Sequence, residues 1–271
     1  MDGSASRLSL AACAAWHHPQ RLASHVEAKQ TSTPDQRLSQ SEMNKLIARA
    51  RRRLARLIRG EPLQWERSQE SRLAMWPPAK TLSERNLKHC VVVESRYRLL
   101  EFMPKHAVCA EVGILHGDFS DWILRVTEPK KLHLIDIASS AIESAQERFR
   151  SEISAKRVQL HLGDSATILS SMPDKYFDWL YIDGGHSYAQ VKADLEAARQ
   201  RLVPGGLVAL NDYTFFSPNE FIKYGVVEAI HDFCLEHDFE WVFFALEGRL
   251  YNDVVLRKIQ GLGTSDSKAA G

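Results

Sequence analysis

Five short stretches of this 271-residue chain combine carboxylates, glycines and one imidazole in spacings that suit a polar ligand. Ile182-Asp183-Gly184-Gly185-His186 ends an apolar run in an acid, two glycines and a histidine, types that packing alone would not select. An imidazole titrates near ~6.5 and, beside Asp183, is a candidate general base. Asn211-Asp212 closes a second apolar run. With Asp183 it offers oxygens suited to a hard cation such as Mg²⁺, a pair of loop caps being the alternative. Glu111-Val112-Gly113, followed by Gly117, makes a glycine turn in which Gly113 admits a ligand close to the backbone and Gly117 opens a helix. The spacing is neither GxGxxG nor a run ending in GK[ST], which counts against pyrophosphate and triphosphate. An ordinary tight turn is the alternative. Asp136 follows about 20 residues later, where a carboxylate accepts two ribose hydroxyls in dinucleotide folds. A helix cap competes with that role, and the spacing favours ribose. Gly163-Asp164-Ser165 offers an acceptor for an adenine amino group and helix-terminal N–H groups for the ring; a plain N-cap serves nearly as well.

All five stretches fall at the ends of predicted strands. Strands are expected at 107–113, 131–137, 158–164, 177–184 and 206–212, alternating with helices that include 141–150 and one closed by Pro204 and two glycines. That alternation implies a parallel, doubly wound α/β sheet of Rossmann-like type, with ligands at the carboxyl ends of the strands. Segments 240–246 and 250–259 are joined too tightly for anything but antiparallel pairing. The sheet is therefore expected to be mostly parallel and closed by an antiparallel C-terminal hairpin. Residues 84–102 read as helical, closed by Pro104.

The ends of the chain differ in kind. Residues 1–60 carry eleven Lys/Arg against four Asp/Glu, while 61–271 carry twenty-four against thirty. Residues 1–40 are rich in Ser, Ala, Gln and His without lasting periodicity, and read as disordered. Over 45–59, Leu46, Ile47, Ala50, Leu54, Leu57 and Ile58 fall within an arc of about 120°, with seven basic residues around the rest and Gly60 as a stop. A basic amphipathic helix of that kind suits an anionic surface, either membrane or nucleic acid. A linker is expected at 76–78, giving an extension over 1–82, a domain over 83–260 and a disordered tail over 261–271. Cys13, Cys90, Cys109 and Cys234 form no CxxC pair, which points to a reducing compartment. No apolar run approaches the ~20 residues of a membrane span. The expected location is cytoplasmic, with peripheral attachment to a membrane as an option.

The series of strand ends closely resembles the class I S-adenosylmethionine-dependent methyltransferases, and within them the small-molecule O-methyltransferase-like group with a D-G-x-H strand end. Residues 182–213 match that pattern almost throughout, and the likeness runs from about Leu87 to Ile259. It implies that the Glu111–Gly117 turn holds the methionine part of the cofactor, Asp136 the ribose, and Gly163, Asp164 and Ser165 the adenine. It further implies a general base at His186 and, in metal-dependent members, a cation at Asp183 and an acidic pair that here reads Asn211-Asp212. A nicotinamide oxidoreductase and a non-catalytic S-adenosylmethionine-binding protein anchored by the basic helix are the competing readings. The missing GxGxxG counts against the first and the intact strand-end acids against the second.

Overall fold

The computed structural model describes residues 78–260. The basic segment 45–59, most of the 1–82 extension and the tail over 261–271 lie outside the described residues. Packing begins slightly before Ser83, because Leu82 is buried in the core and Lys80 pairs with Asp232 at 2.9 Å.

The first elements are α1 (Glu84–Leu87), β1 (Val91–Val93), α2 (Arg96–Leu99) and a 3₁₀ turn over Leu100–Phe102. The single long helix expected over 84–102 is therefore wrong. Three consecutive valines favour extended backbone, and β9 offers them a parallel partner through Val91↔Phe243 and Val93↔Ala245. Ser95 then starts α2 by accepting the Arg98 N–H.

The expected alternation follows: β2 (Val108–Val112), α3 (Asp118–Thr127), β3 (Lys131–Asp136), α4 (Ser139–Arg148), α5 (Arg150–Ser154), β4 (Val158–Leu162), α6 (Ser165–Ser171), β5 (Phe177–Ile182), α7 (Tyr188–Arg201) and β6 (Leu202–Tyr213). Helix α7 ends at Arg201, before Pro204, and β6 takes the Pro-Gly-Gly into a bulge against β5. A small hairpin, β7 (Phe216–Ser217) with β8 (Ile222–Lys223), precedes α8 (Val226–His237), β9 (Phe239–Ala245) and β10 (Asn252–Lys258).

The eight-stranded sheet runs β1-β9-β10-β6-β5-β2-β3-β4. Strands β2 to β6 are mutually parallel, and β10 is antiparallel to both its neighbours, β6 and β9. The expected closing hairpin is present, with β10 inserted between β6 and β9. Order reverses between β2 and β5, which makes their carboxyl ends the natural ligand site.

Burial on both faces fixes this arrangement. Along β5, Leu180 and Ile182 join a core with Leu169, Val191, Leu195 and Phe233 from α6, α7 and α8. Trp179 and Tyr181 turn to the other face and pack with Leu99, Ile123 and Ala145 from α2, α3 and α4. Apolar residues on both sides of a strand are what a sheet covered by two helical layers requires. Among the described residues no helix is long and apolar enough to cross a membrane.

One polar chain lies within these layers. Buried His133 of β3 meets His161 Nε2 through Nδ1 at 2.9 Å and the Tyr176 hydroxyl through Nε2 at 3.1 Å. Burial, then His161 and Lys131, pull His133 from 6.5 to about 4. A lowered histidine stabilises the fold above its unfolded value and loses that contribution as pH falls from 6.5 towards 4. The loss should approach about 3 kcal/mol. Urea titrations at pH 7.5 and 4.5 should show the stability gap between the native chain and His133→Leu narrowing by roughly 2–3 kcal/mol on acidification; a constant gap would remove His133 from acid sensitivity.

Candidate active site

The predicted strand-end residues do gather at the β2/β5 switch. A cavity of about 610 Å³ there is lined by Gly113, Asp136, Gly163, Asp164, Ser165, Asp183 and His186. Gly113 has φ 81°, and an added Cβ would stand 1.9 Å from the Asp183 carbonyl oxygen. This glycine is what lets β2 and β5 approach one another. Gly117, φ 76°, caps α3 beneath the Phe149 ring and does not line the cavity.

Glu111 also stands apart from the cavity. It is 2% exposed, and its Oε2 accepts the Ser120 hydroxyl at 2.5 Å. Burial raises its pKa to about 8 against the lowering effect of that bond, so it is mostly a neutral carboxylic acid at pH 7. Asp136 lines the cavity and is held by main-chain N–H groups, while Ala138 takes the N-cap position of α4. The Asp136 Oδ2 accepts from Ile114 N at 2.9 Å and Leu115 N at 3.4 Å, and its Oδ1 from Ala138 N at 2.8 Å. A carboxylate has about four acceptor sites, so roughly one remains clear for a ligand where two hydroxyls were expected. Asp164 caps α6 through Thr167, and Ser165 is held by Asp194 and Gln190.

His186 lies between this cavity and a second of about 510 Å³, and both are also lined by Glu220. Its Nε2 is 3.1 Å from Asp212 Oδ2 and 4.0 Å from Asp183 Oδ1, and its ring stacks on Tyr224 at 4.2 Å. The 3.1 Å contact is close enough for an ion pair but is not aligned as a hydrogen bond, which leaves Nε2 without a directed partner. Burial pulls the imidazole down, but Asp212, Asp183 and Glu220 outweigh it and leave its pKa raised. Asp183 is raised to about 6, by burial first and by Asp212, while Arg96, Asn211 and His186 oppose the rise.

Arg96 was missed in the sequence. It lines the second cavity, lies 3.6 Å from Asp183 and covers the Phe119 ring at 4.1 Å. No local signal marks it; α2 brings it in from outside the alternating units. Asn211 is buried beside Asp183 with its Oδ1 unpartnered. Arg96 Nε, His186 Nε2 and Asn211 Oδ1 are three of the four unpartnered buried polar atoms among the described residues. Such groups are normally satisfied, and their concentration marks a place that a ligand completes.

A family profile described as a methyltransferase domain matches residues 110–213, the span from β2 to the end of β6. Residues 110–213 carry a methyltransferase domain. No curated protein matches it in sequence. Similar solved structures include an S-adenosylmethionine-dependent methyltransferase of Aquifex aeolicus, 14% identical, covering 61% of this chain and 90% of that one, with a TM-score of 0.48. The N-methyltransferase NodS of Bradyrhizobium japonicum, in complex with S-adenosyl-L-homocysteine, is 16% identical over 61% of this chain and 86% of its own, TM-score 0.48. The [4+2]-cyclase SpnF is 12% identical over 61% and 81%, TM-score 0.48.

Asp136 joins the glycine turn to β3 and lines the first cavity. Asp136→Ala should weaken S-adenosylhomocysteine binding by roughly 2–3 kcal/mol, as expected for a charge-assisted hydrogen bond. It should also lower the unfolding temperature, because Ile114 N and Ala138 N lose their acceptor. Calorimetry and thermal unfolding together check this, and unchanged affinity would take Asp136 out of the site.

Proposed function

We propose that the methyltransferase places a methyl group on a hydroxyl oxygen of a small acceptor held in the second cavity, with His186 as general base. The supporting observation is the position of His186, whose ring borders both cavities and whose Nε2 has no directed partner. S-adenosylmethionine supplies an electrophilic methyl group when bound. Gly113, Asp136, Asp164 and Ser165 would hold it, since the 610 Å³ cavity they line suits a ligand of that size and has polar groups at both ends. His186 accepts the hydroxyl proton as the oxygen attacks, and Asp212 and Asp183 stabilise the imidazolium. Holding the two reacting groups in line supplies most of the remaining rate.

Asp183, His186 and Asp212 offer donor atoms within 4.8 Å of one another, the one such cluster among the described residues at this site. The set does not fit Mg²⁺. One donor is an imidazole nitrogen, Asn211 brings no charge, and Arg96 already supplies a cation 3.6 Å from Asp183. The test is release of S-adenosylhomocysteine across a panel of hydroxylated compounds, with and without EDTA. Turnover should be the same in both; loss in EDTA with recovery on adding Mg²⁺ would move the main role to the carboxylates.

A further inference from the structure

We infer that the acceptor is an amphipath, with a hydroxylated head in the second cavity and an apolar chain lying on the cavity's rim. The inference rests on the reading of that cavity as the acceptor site. Its lining mixes polar and apolar surface, and His186, Asp212, Glu220, Ser217, Asn219 and Tyr251 supply polar groups. The two loops that border it carry exposed apolar side chains. Phe221 is 80% exposed, Leu250 70%, Ile222 51% and Leu246 48%. Leu246 itself lines the cavity, and the other three lie within two residues of a lining residue.

Two further observations give the rim a purpose. The β7–β8 hairpin and the β9–β10 loop are pinned together, since the Tyr251 hydroxyl bonds Ser217 Oγ at 2.9 Å and accepts from Asn219 N at 3.3 Å. The apolar side chains thus stand on one joined edge. Phe221 and Leu250, the two most exposed, both hold left-handed backbone, φ 58° and 70°. Neither burial nor backbone preference selects Phe or Leu at such positions, where Gly or Asn is favoured. Exposed apolar side chains grouped on one edge mark a surface that another apolar group covers. A protein permanently seated on this edge would close the mouth that the acceptor must enter. The occupant is therefore a part of the acceptor itself.

The probes are methyl, hexyl and octyl β-D-glucoside, titrated below micelle formation into the full chain saturated with S-adenosylhomocysteine. Affinity should climb about three- to fourfold per methylene added, the equivalent of ~0.8 kcal/mol. In the double variant Phe221→Asn, Leu250→Asn the climb should flatten while the unfolding temperature holds or rises, because Asn accepts left-handed backbone. A purely structural role for these residues would lower that temperature instead. His186→Ala should keep the full chain-length dependence, which separates this inference from the assignment of the base. A flat series, no binding of the octyl compound, or a climb that survives the double variant would overturn it.

Discussion

His186→Ala is expected to lower kcat by about 10²–10⁴-fold while S-adenosylhomocysteine binds nearly as before. As the proposed base, the imidazole acts on the acceptor's proton and not on the cofactor, so chemistry and cofactor binding should come apart. The pH profile carries the sharper signature. A base works when deprotonated, and three carboxylates hold the His186 pKa above its ordinary 6.5. Turnover should therefore rise with pH through a midpoint above 6.5 and fall away on the acid side. Asp183, at about 6, titrates in the same cluster, so the observed midpoints belong to the group rather than to one residue. Loss of the rising limb in His186→Ala, measured at saturating cofactor, supports the assignment; a variant with unchanged kcat and an unchanged profile would end it.

Gly113→Ala is the second large effect. The new Cβ would stand 1.9 Å from the Asp183 carbonyl oxygen and 2.5 Å from its carbon, both main-chain atoms. No rotamer relieves that clash, and φ 81° adds a backbone penalty. The tips of β2 and β5 would have to part, at a cost exceeding ~3 kcal/mol of stability. Cofactor affinity should vanish with it, since Gly113 and Asp183 line the same cavity side by side. Gly248→Ala, where nothing lies within 4 Å, is the control and should leave both properties unchanged. Thermal unfolding and calorimetry measure the pair, and equal behaviour of the two variants would overturn the packing argument.

The strand ends were legible in the sequence because each signal is local. An apolar run of five or six residues ending in Asp, Gly or His needs no knowledge of its neighbours, and β2 to β6 fall where those runs predict. The stretch 84–102 was misread because three consecutive valines show neither the alternation of a half-buried strand nor a full helical turn, and their partner β9 lies some 150 residues away. Arg96 escaped for the same reason: its meaning depends on Asp183, which only the fold brings near. Asp136 shows a subtler limit. Spacing placed it at the ribose position, but spacing cannot show that main-chain N–H groups occupy most of its acceptor capacity. Glu111 likewise has the right place in the chain and the wrong depth in the fold.

The position of β10 governs the order in which the molecule is made. Because this strand, Asn252–Lys258, fills the slot between β6 and β9, neither neighbour has its partner until the final part of the domain has left the ribosome. Strands β2 to β6 can pair as they emerge, but the β6 edge stays open and the β1–β9 pair is not yet joined to the rest of the sheet. That open edge can recruit other chains during the interval. Completion of the sheet is a late, non-local event, of the kind that makes folding slow. Tyr251, just before that strand, is also the residue that holds Ser217 and Asn219 beside the second cavity, so the last step of folding is the one that completes the cavity's wall.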